Sequence, residues 1–166
     1  MEHWDLYDAT GRSLHKTCQR GDVIQQGEYH IAVGIWIRNK TNQILLTLRA
    51  PTKQSHPNKW ENPGGAVLAG ESSKQGAMRE LREETGICVG KDALKLLGRT
   101  VQKTALFDTY LLHWHGALSS LQLQPGETVD AKWVREAEME KVLQAEQLAL
   151  PIHLNYNRYK EEIWHG

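Results

Sequence analysis

The 166-residue sequence has few of the features that mark secreted or membrane proteins. It has two cysteines, Cys18 and Cys88, which lie far apart and form no CxxC or metal-ligand spacing. We expect each to be a free, partly buried thiol rather than half of a disulfide. The N-terminal residues 1–5 lack the basic region and following apolar stretch of a signal peptide. No apolar run approaches the length of a membrane span. These absences predict a protein of the reducing cytoplasm with no membrane partner.

The sequence also has no excess of charge of either sign. Lys plus Arg and Asp plus Glu both total 20, so the formal net charge is zero. We therefore expect no nucleic-acid polymer as partner, whereas a small anionic ligand needs only a local cluster of donors. Apolar residues make up 40% and charged residues 24%, as in ordinary globular proteins. The length predicts one domain over residues 1–166, with residues 1–28 as an N-terminal extension.

Turn residues and apolar runs predict the order of strands in the first part of the chain. Polar turns at 8–11 and 20–22 separate short apolar stretches, which predicts a hairpin-like extension. The β-branched and aromatic residues of 29–37 and the apolar run 43–49 predict two strands of a sheet. Prolines and polar residues in 50–63 predict a loop that ends at two glycines.

A helix is predicted next, followed by more strands and two further helices. Ser72 and Ser73 are candidate N-caps of a helix that runs to Thr85, and Gly86 is its expected C-terminal stop. Strands are expected at 96–98, 101–105, 107–117 and 131–134, and helices at 136–149 and 155–164.

The predicted helix ending at Thr85 carries the chemistry. Residues three and four apart share a helix face, so Glu80, Glu83 and Glu84 should converge on one patch. Like charges at this spacing destabilise a helix by roughly 0.2–0.5 kcal/mol per pair. A hard divalent cation would turn this repulsion into ligation by oxygen. The acidic run therefore predicts a metal site.

The alternative is a solvated acidic face whose charge is balanced by Arg79 and Arg82. The preceding glycines, Gly64 and Gly65, favour the metal site, because glycine permits a positive φ and a close approach of main chain to a phosphate or metal. On the opposite face of the helix, the small residues 76–77 and Leu81 are expected to pack on the sheet.

The spacing of these residues resembles a known family. Gly65, Glu71 and the run 79–87 match the Nudix box at every fixed position, which is nine positions over 23 residues. The resemblance implies an α/β/α sandwich with a mixed β-sheet. It also implies a Mg²⁺-dependent hydrolase, with Mn²⁺ as the alternative metal, that cleaves a nucleoside diphosphate linked to another moiety.

The same resemblance implies roles for individual residues, each of which is an expectation. The main-chain carbonyl of Gly64 would join Glu80, Glu83 and Glu84 as a metal ligand. Gly65 and an ion pair between Glu71 and Arg79 would support the loop and the helix. Outside the box, the family recruits a further acid from a loop, and Glu127, six residues before Trp133, resembles that acid, with Asp130 as its competitor. Either Glu80 or Glu127 would be the general base, and Arg49 would contact a substrate phosphate.

A weaker resemblance over residues 4–87 points to the branch that includes isopentenyl-diphosphate isomerase. His30 matches a metal ligand of the isomerase, but Gly64 and Ala66 stand where the isomerase has its catalytic cysteine and another metal-binding histidine. Because the box is also complete, we favour hydrolysis. An isomerase-like enzyme and a catalytically silent nucleotide-binding module stay as alternatives, although silent modules usually have eroded box acids.

Two further features stay open at this level. His113 and His115 share one face of a strand by their spacing of two, and a structural pair is favoured over a metal site because no third ligand is evident. The substrate is expected to be a small-molecule diphosphate, but its identity, the general base, the role of the extension and the oligomeric state are not specified. A homodimer is among the states that the sequence allows.

Overall fold

The computed structural model describes the main chain of residues 1–166 and all side chains except those of Leu150 and Pro151. The strands are β1 His3–Tyr7, β2 Ser13–Gln19, β3 His30–Arg38, β4 Ile44–Arg49, β5 Trp60–Glu61, β6 Gly64–Ala66, β7 Leu94–Gln102, β8 Ala105–His113 and β9 Thr128–Val134. The helices are α1 Ser73–Thr85, α2 Glu136–Gln144 and α3 Leu150–His165, and two short 3-10 helices cover Lys91–Ala93 and Leu118–Ser120.

The strands form two sheets. β1 and β2 make an antiparallel hairpin of their own. The larger sheet has the order β5-β4-β3-β8-β7, with β6 also paired to β3 and β9 also paired to β4. β3 and β8 are parallel and the other pairs are antiparallel, so the sheet is mixed as predicted.

The two faces of the larger sheet are covered by different helices. Side chains alternate between the faces along a strand. In β3, Ile35 and Ile37 belong to the core shared with Ala77 and Leu81 of α1. Trp36, which lies between them, belongs to a second core under α2 and α3. The predicted sandwich of helices on both faces of a sheet is therefore confirmed.

Helix α1 begins and ends at the predicted residues. The hydroxyl of Ser72 accepts the main-chain N–H of Gln75 at 3.3 Å, and the Gln75 side chain accepts the N–H of Ser72 at 2.8 Å. At the other end, Gly86 has a φ of 75° and donates its N–H to Arg82. A Cβ at Gly76 would lie 2.8 Å from Cγ2 of Val67, which explains why a small residue lies against the sheet. The caps fix where α1 begins and ends.

Several predicted boundaries are wrong. The three strands expected over 96–117 are two, β7 and β8, joined by a tight turn in which Lys103 has a φ of 44°. The helix expected over 136–149 ends at Gln144, because Glu146 takes a φ of 53° and leads into α3. Helix α3 begins five residues before the predicted position 155. The expected loop 50–63 contains β5, which pairs with β4.

The predicted state of the cysteines is partly wrong. Both are free, but only Cys18 is partly buried, whereas Cys88 is exposed just beyond α1. Of the described helices, none is long and apolar enough to cross a membrane.

The N-terminal hairpin is confirmed, and it is attached to the loop that precedes α1. Ala69 donates its main-chain N–H to the carbonyl of His3 at 2.8 Å, and Gly70 donates to the carboxylate of Asp5 at 2.8 Å. Tyr7 and Tyr29 exchange two main-chain hydrogen bonds. These contacts hold the hairpin beside the loop and next to the catalytic helix predicted from the sequence.

Candidate active site

A cleft of about 350 Å³ lies between α1, β6, the hairpin and two loops of the sheet. Its lining is mostly polar, as expected for a site that binds charged groups. The lining residues are Glu2, Trp4, Arg20, Arg49, Lys53, Gly64, Gly65, Ala66, Arg79, Glu80, Glu83, Glu84, Gln124 and Glu127. All three acids predicted on α1 are therefore brought to one cleft, together with Glu127 and Arg49.

Glu84 is the acid in the most unfavourable environment. Burial raises its pKa well above the ordinary value, and the nearby charge of Glu61 raises it further. Its carboxylate accepts the main-chain N–H of Gly64 at 2.9 Å. Among the side chains that the structure describes, no cationic group lies within ion-pair distance of it. A buried carboxylate without a counter-ion is costly in a metal-free protein, and a bound cation would relieve that cost.

Glu80 and Glu83 are both held by Arg79. The guanidinium donates to Glu80 at 2.8 Å and to Glu83 at 3.2 Å. The Glu80 side chain is 15% exposed, and burial raises its pKa despite the hydrogen bond from Arg79. The Glu83 side chain is 41% exposed and lies at the rim. The three box acids thus range from deeply buried to solvent-facing along one helix face.

Arg79 also ties α1 to the loop before it. It donates twice to Glu71, at 2.8 and 3.0 Å, and once to the carbonyl of Ala66 at 2.9 Å. Burial would raise the pKa of Glu71, but the hydrogen bonds from Arg79 and from the N–H of Leu68 outweigh it and the pKa is lowered. The ion pair implied by the resemblance is therefore present, and one guanidinium links β6, the loop and three carboxylates.

The paired glycines allow the main chain of β6 to approach both β3 and α1. A Cβ at Gly64 would lie 2.2 Å from the carbonyl oxygen of Val33. A Cβ at Gly65 would lie 2.5 Å from a carboxylate oxygen of Glu80. Gly64 has no room for a side chain, and a side chain at Gly65 would displace the carboxylate of Glu80. The geometry rather than a positive φ explains the two glycines, since neither is among the residues with that conformation.

Of the two loop acids weighed from the sequence, Glu127 faces the cleft. It lies in the turn before β9, its side chain is 39% exposed, and it forms an ion pair with Lys53. Asp130 is exposed within β9 and accepts the N–H of Ala131 at 2.8 Å. The described lining of the cleft includes Glu127 and leaves Asp130 outside.

Arg49 lines the cleft, but its guanidinium is already engaged. It donates to both oxygens of Glu61, at 3.0 and 2.9 Å, and to the carbonyl of Ser55 at 2.9 and 3.1 Å. The sequence analysis did not identify Glu61 as a residue near the site. Its position two residues before Pro63, next to the paired glycines, could have indicated it. Burial raises the pKa of Glu61, and its charge acts on Glu84. Arg49 thus connects the end of β4 to β5 and to the adjacent loop.

The sequence analysis also did not predict that the N-terminal hairpin forms one wall of the cleft, which we call the hairpin wall. Trp4 lines the cleft and stacks on His30, with ring centroids 4.3 Å apart and an angle of 21° between the rings. Burial lowers the pKa of His30, whose Nδ1 lies 3.2 Å from the carbonyl of Ile31. No local pattern in the sequence indicates that residues of the extension reach the site, because the contact depends on how the hairpin packs.

Comparison with known proteins decides the family. The Nudix domain pattern matches residues 28–153, which is most of the chain. The chain belongs to the Nudix family. An uncharacterised Nudix hydrolase of Listeria monocytogenes is 33% identical over 141 residues, covering 84% of this chain and 83% of the relative. The protein is accordingly a Nudix hydrolase, an enzyme that acts on diphosphate bonds.

Two further relatives bear on the fold and on the branch of the Nudix family. The crystal structure of DR0079 from Deinococcus radiodurans superimposes with a TM-score of 0.73 at 22% identity, covering 89% of this chain and 92% of that one, and so shows the same fold. An isopentenyl-diphosphate isomerase of Nocardia farcinica is 27% identical over 151 residues, covering 87% of this chain and 86% of the relative. This match is consistent with the resemblance of residues 4–87 to the isomerase branch.

The donors of the Nudix helix fit a hard divalent cation. Carboxylates and a main-chain carbonyl are the ligands that Mg²⁺ and Mn²⁺ prefer. In the described part of the chain, no three acidic, imidazole or thiol groups already stand in a ready-made ligand set. The reason is visible in the contacts, because Arg79 holds Glu80 and Glu83 while Gly64 holds Glu84. Side-chain rotation would therefore accompany metal binding.

Proposed function

We propose that this Nudix hydrolase is a Mg²⁺-dependent enzyme that cleaves a nucleoside diphosphate linked to another moiety, with Mn²⁺ as the alternative metal. The observation that carries the proposal is the environment of the Glu84 carboxylate. This buried carboxylate has a pKa well above the ordinary value and lies on the same helix face as Glu80 and Glu83, which also line the cleft. An unpaired buried carboxylate is costly in a helix that only packs on a sheet, whereas a bound cation would compensate that cost.

In this proposal the cation is held by Glu80, Glu83, Glu84 and the carbonyl of Gly64. When bound, Mg²⁺ neutralises phosphate charge and lowers the pKa of water. Arg79 acts as a positioning residue for the acids, because it contacts both Glu80 and Glu83 and is itself fixed by Glu71. Gly65 supports the site by leaving room for the Glu80 carboxylate.

The reaction is attack of a water oxygen on one phosphorus of the diphosphate. The new P–O bond forms as the bond from phosphorus to the bridging oxygen breaks, and the departing phosphate carries the electron pair. The proton of the water passes to a carboxylate, either Glu80 or Glu127, both of which line the cleft. Arg49 is the proposed phosphate contact. Its guanidinium would bind the phosphate in addition to, or in place of, Glu61 and the carbonyl of Ser55.

The nucleoside part of the proposal is supported by the hairpin wall. Trp4 presents a partly exposed aromatic ring in the lining of the cleft. Aromatic rings stack on bases of any sequence, and such stacking contributes about 1–3 kcal/mol per base in nucleic-acid binding proteins. A screen of nucleoside diphosphate derivatives, nucleoside triphosphates and prenyl diphosphates with Mg²⁺, with the phosphorylated products separated by chromatography, identifies which class is cleaved and at which bond.

The isomerase alternative is disfavoured by the residues around β6. Gly64 and Ala66 supply neither the thiol nor the imidazole that the resemblance would require there. His30, the remaining match, is stacked on Trp4, and its Nδ1 lies 3.2 Å from the carbonyl of Ile31. The silent binding module is disfavoured because all the box acids are present and face the cleft.

Isotope labelling tests the proposal directly. With a nucleoside diphosphate substrate in ¹⁸O water, we expect the label in the phosphate product, and we expect no conversion of isopentenyl diphosphate to its allylic isomer. Isomerisation that survives replacement of both cysteines, Cys18→Ser and Cys88→Ser, would overturn hydrolysis as the activity. Tight nucleotide binding with no turnover on any member of the screen would instead favour the silent module.

A further inference from the structure

Lys53 is a cation placed among the carboxylates of the cleft. Its ammonium forms an ion pair with Glu127, and its charge offsets a small part of the rise that burial causes in the pKa values of Glu84 and Glu61. These acids come from three separate segments, namely α1, β5 and the turn before β9. The Lys53 side chain is 20% exposed, so the ammonium sits inside the cleft rather than in bulk solvent.

The main chain holds Lys53 and Glu127 next to one another. Ala50 donates its N–H to the carbonyl of Glu127 at 2.8 Å, and Lys53 donates its N–H to the carbonyl of Ala50 at 3.1 Å. The main-chain positions from which both side chains extend are therefore fixed. A lysine has four rotatable side-chain bonds, so its ammonium can change partners while its main chain stays in place.

Lys53 borders a second cavity as well as the cleft. This cavity of about 500 Å³ adjoins the cleft and shares with it Arg20, Arg49, Lys53 and Glu127. Its other lining residues are uncharged, and they include Thr52 and Ser55. The ammonium of Lys53 can thus reach toward the box acids or toward a group in the neighbouring cavity.

An ammonium and a divalent cation compete for the same carboxylate. The two cations repel each other, and the oxygens of Glu127 that bind Lys53 are not available as strong donors to a metal or as a base toward water. A diphosphate offers the ammonium a partner of higher negative charge than a carboxylate does. Substrate would therefore draw Lys53 away from Glu127.

We propose that Lys53 is a counter-ion switch, which masks Glu127 in the free enzyme and passes to a phosphate oxygen when the diphosphate binds, so that Glu127 becomes available in the metal site. The switch rests on the function proposed above, since it assumes that the box acids hold a cation and that the substrate is a diphosphate. Lys53 and Glu127 mask each other in this arrangement. Removing either one should expose the other.

The first test measures Mn²⁺ binding to the free enzyme by electron paramagnetic resonance, without substrate or turnover. Lys53→Met should tighten Mn²⁺ binding about fivefold, the size of a partly exposed ion pair. The double variant Lys53→Met with Glu127→Gln should lose this gain relative to Glu127→Gln alone. Unchanged affinity in Lys53→Met would overturn the switch. Absence of Mn²⁺ binding in the wild type would instead overturn the metal site itself.

The second test measures binding of methylenediphosphonate, a diphosphate that is not hydrolysed, to metal-free protein by calorimetry. Glu127→Gln should tighten binding about fivefold because Lys53 is freed, and Lys53→Met should weaken it. Weaker binding in Glu127→Gln would contradict the masking of Lys53. Lys160→Met is the matched control, since Lys160 and Glu140 form a similarly exposed pair on the other side of the sheet. The control should leave both binding constants unchanged.

Discussion

Two helices of this protein carry three glutamates within five residues, and they differ in what surrounds them. In α2 the acids of 136–140 face solvent, with Glu136 and Glu140 each 41% exposed and both in contact with Lys160. In α1 the acids of 80–84 lie in the cleft under the glycines of β6, and burial raises the pKa of Glu84. An acidic run alone does not mark a site. What distinguishes α1 is a deeply buried carboxylate, that of Glu84, for which the described side chains provide no ion-pair partner.

The comparison also shows what the cation partners do. Lys160 is a flexible lysine on α3 that contacts two exposed acids of α2. Arg79 contacts two acids of its own helix, and it also binds Glu71 and the carbonyl of Ala66. The first arrangement is a solvated pair that contributes little to stability, whereas the second fixes the position of the acids relative to the loop.

The largest expected difference between the two helices is in turnover. Glu84→Gln should lower kcat by about three orders of magnitude, because the loss of one metal-bound charge costs several kcal/mol of transition-state stabilisation. Glu83→Gln should have an effect in the same direction. The matched variant in α2, Glu140→Gln, should leave kcat unchanged. Steady-state kinetics at saturating Mg²⁺ measure all three, and a near-wild-type rate in Glu84→Gln would contradict its assignment as a ligand.

A second prediction separates a buried acid from a half-exposed one within the cleft. Glu80→Gln and Glu127→Gln should each lower kcat, and loss of the general base should cost about 10²–10⁴-fold. The pH–rate profile of the variant that lacks the base should lose its acidic limb. Burial raises the pKa of Glu80 in the metal-free protein, and a cation bound to its carboxylate would lower that pKa again. Retention of the limb in both variants would contradict both assignments.

A third prediction concerns the two cation partners. Arg79→Gln should lower the free energy of unfolding by about 2–3 kcal/mol, because it leaves the half-buried carboxylate of Glu71 and the more buried one of Glu80 without their counter-ion. Lys160→Gln should change the Tm by about 2 °C or less. Thermal and urea unfolding of metal-free protein measure both effects. Equal losses in the two variants would contradict the distinction between a fixed and a solvated pair.

The smallest expected effect is a pH dependence of stability. Because the folded protein raises the pKa of Glu84 above its ordinary value of 4.5, the folded state binds more protons than the unfolded state above that pH. The contribution of Glu84 to stability is therefore present at low pH and lost as the pH rises through the folded pKa. From about pH 5 to about pH 8, the Tm of the metal-free wild type should fall relative to Glu84→Gln.

Added Mg²⁺ provides the control for this pH dependence. The cation replaces the proton as the partner of Glu84, so it should raise the wild-type Tm more at about pH 8 than at about pH 5. Glu140→Gln should follow the wild type in both series. A Mg²⁺ effect that survives unchanged in Glu84→Gln would show that the cation binds elsewhere.

The parts of the site that the sequence predicts are those carried by local spacing. Ser72 and Gly86 delimit α1, and the interval of three and four residues brings Glu80 and Glu84 to one face. Leu81 points to the sheet for the same reason and is fully buried. The caps and the helical period act over a few residues, so they can be recognised without knowledge of the fold.

The contacts that the sequence does not predict join distant segments. Lys53 and Glu127 are 74 residues apart, and Arg49 reaches Glu61 only because β4 and β5 pair. Trp4 enters the cleft through the packing of the hairpin on the loop before α1. Such contacts follow from strand order and loop placement, and no periodic pattern records them. The break between β7 and β8 was misplaced because a tight turn at Lys103 lacks glycine or proline.

The attachment of the hairpin has a consequence for redesign of the enzyme. Main-chain groups of His3, Tyr7 and Tyr29 make most of the bonds that dock it, whereas the side chains of Asp5 and Trp4 add a hydrogen bond to Gly70 and a stack on His30. Arg20 lines the cleft and pairs with Glu2, so substitutions there would vary the wall of the cleft while leaving these docking contacts in place. One wall of the cleft can thus be varied from a segment that is remote in sequence from the helix that carries the box acids.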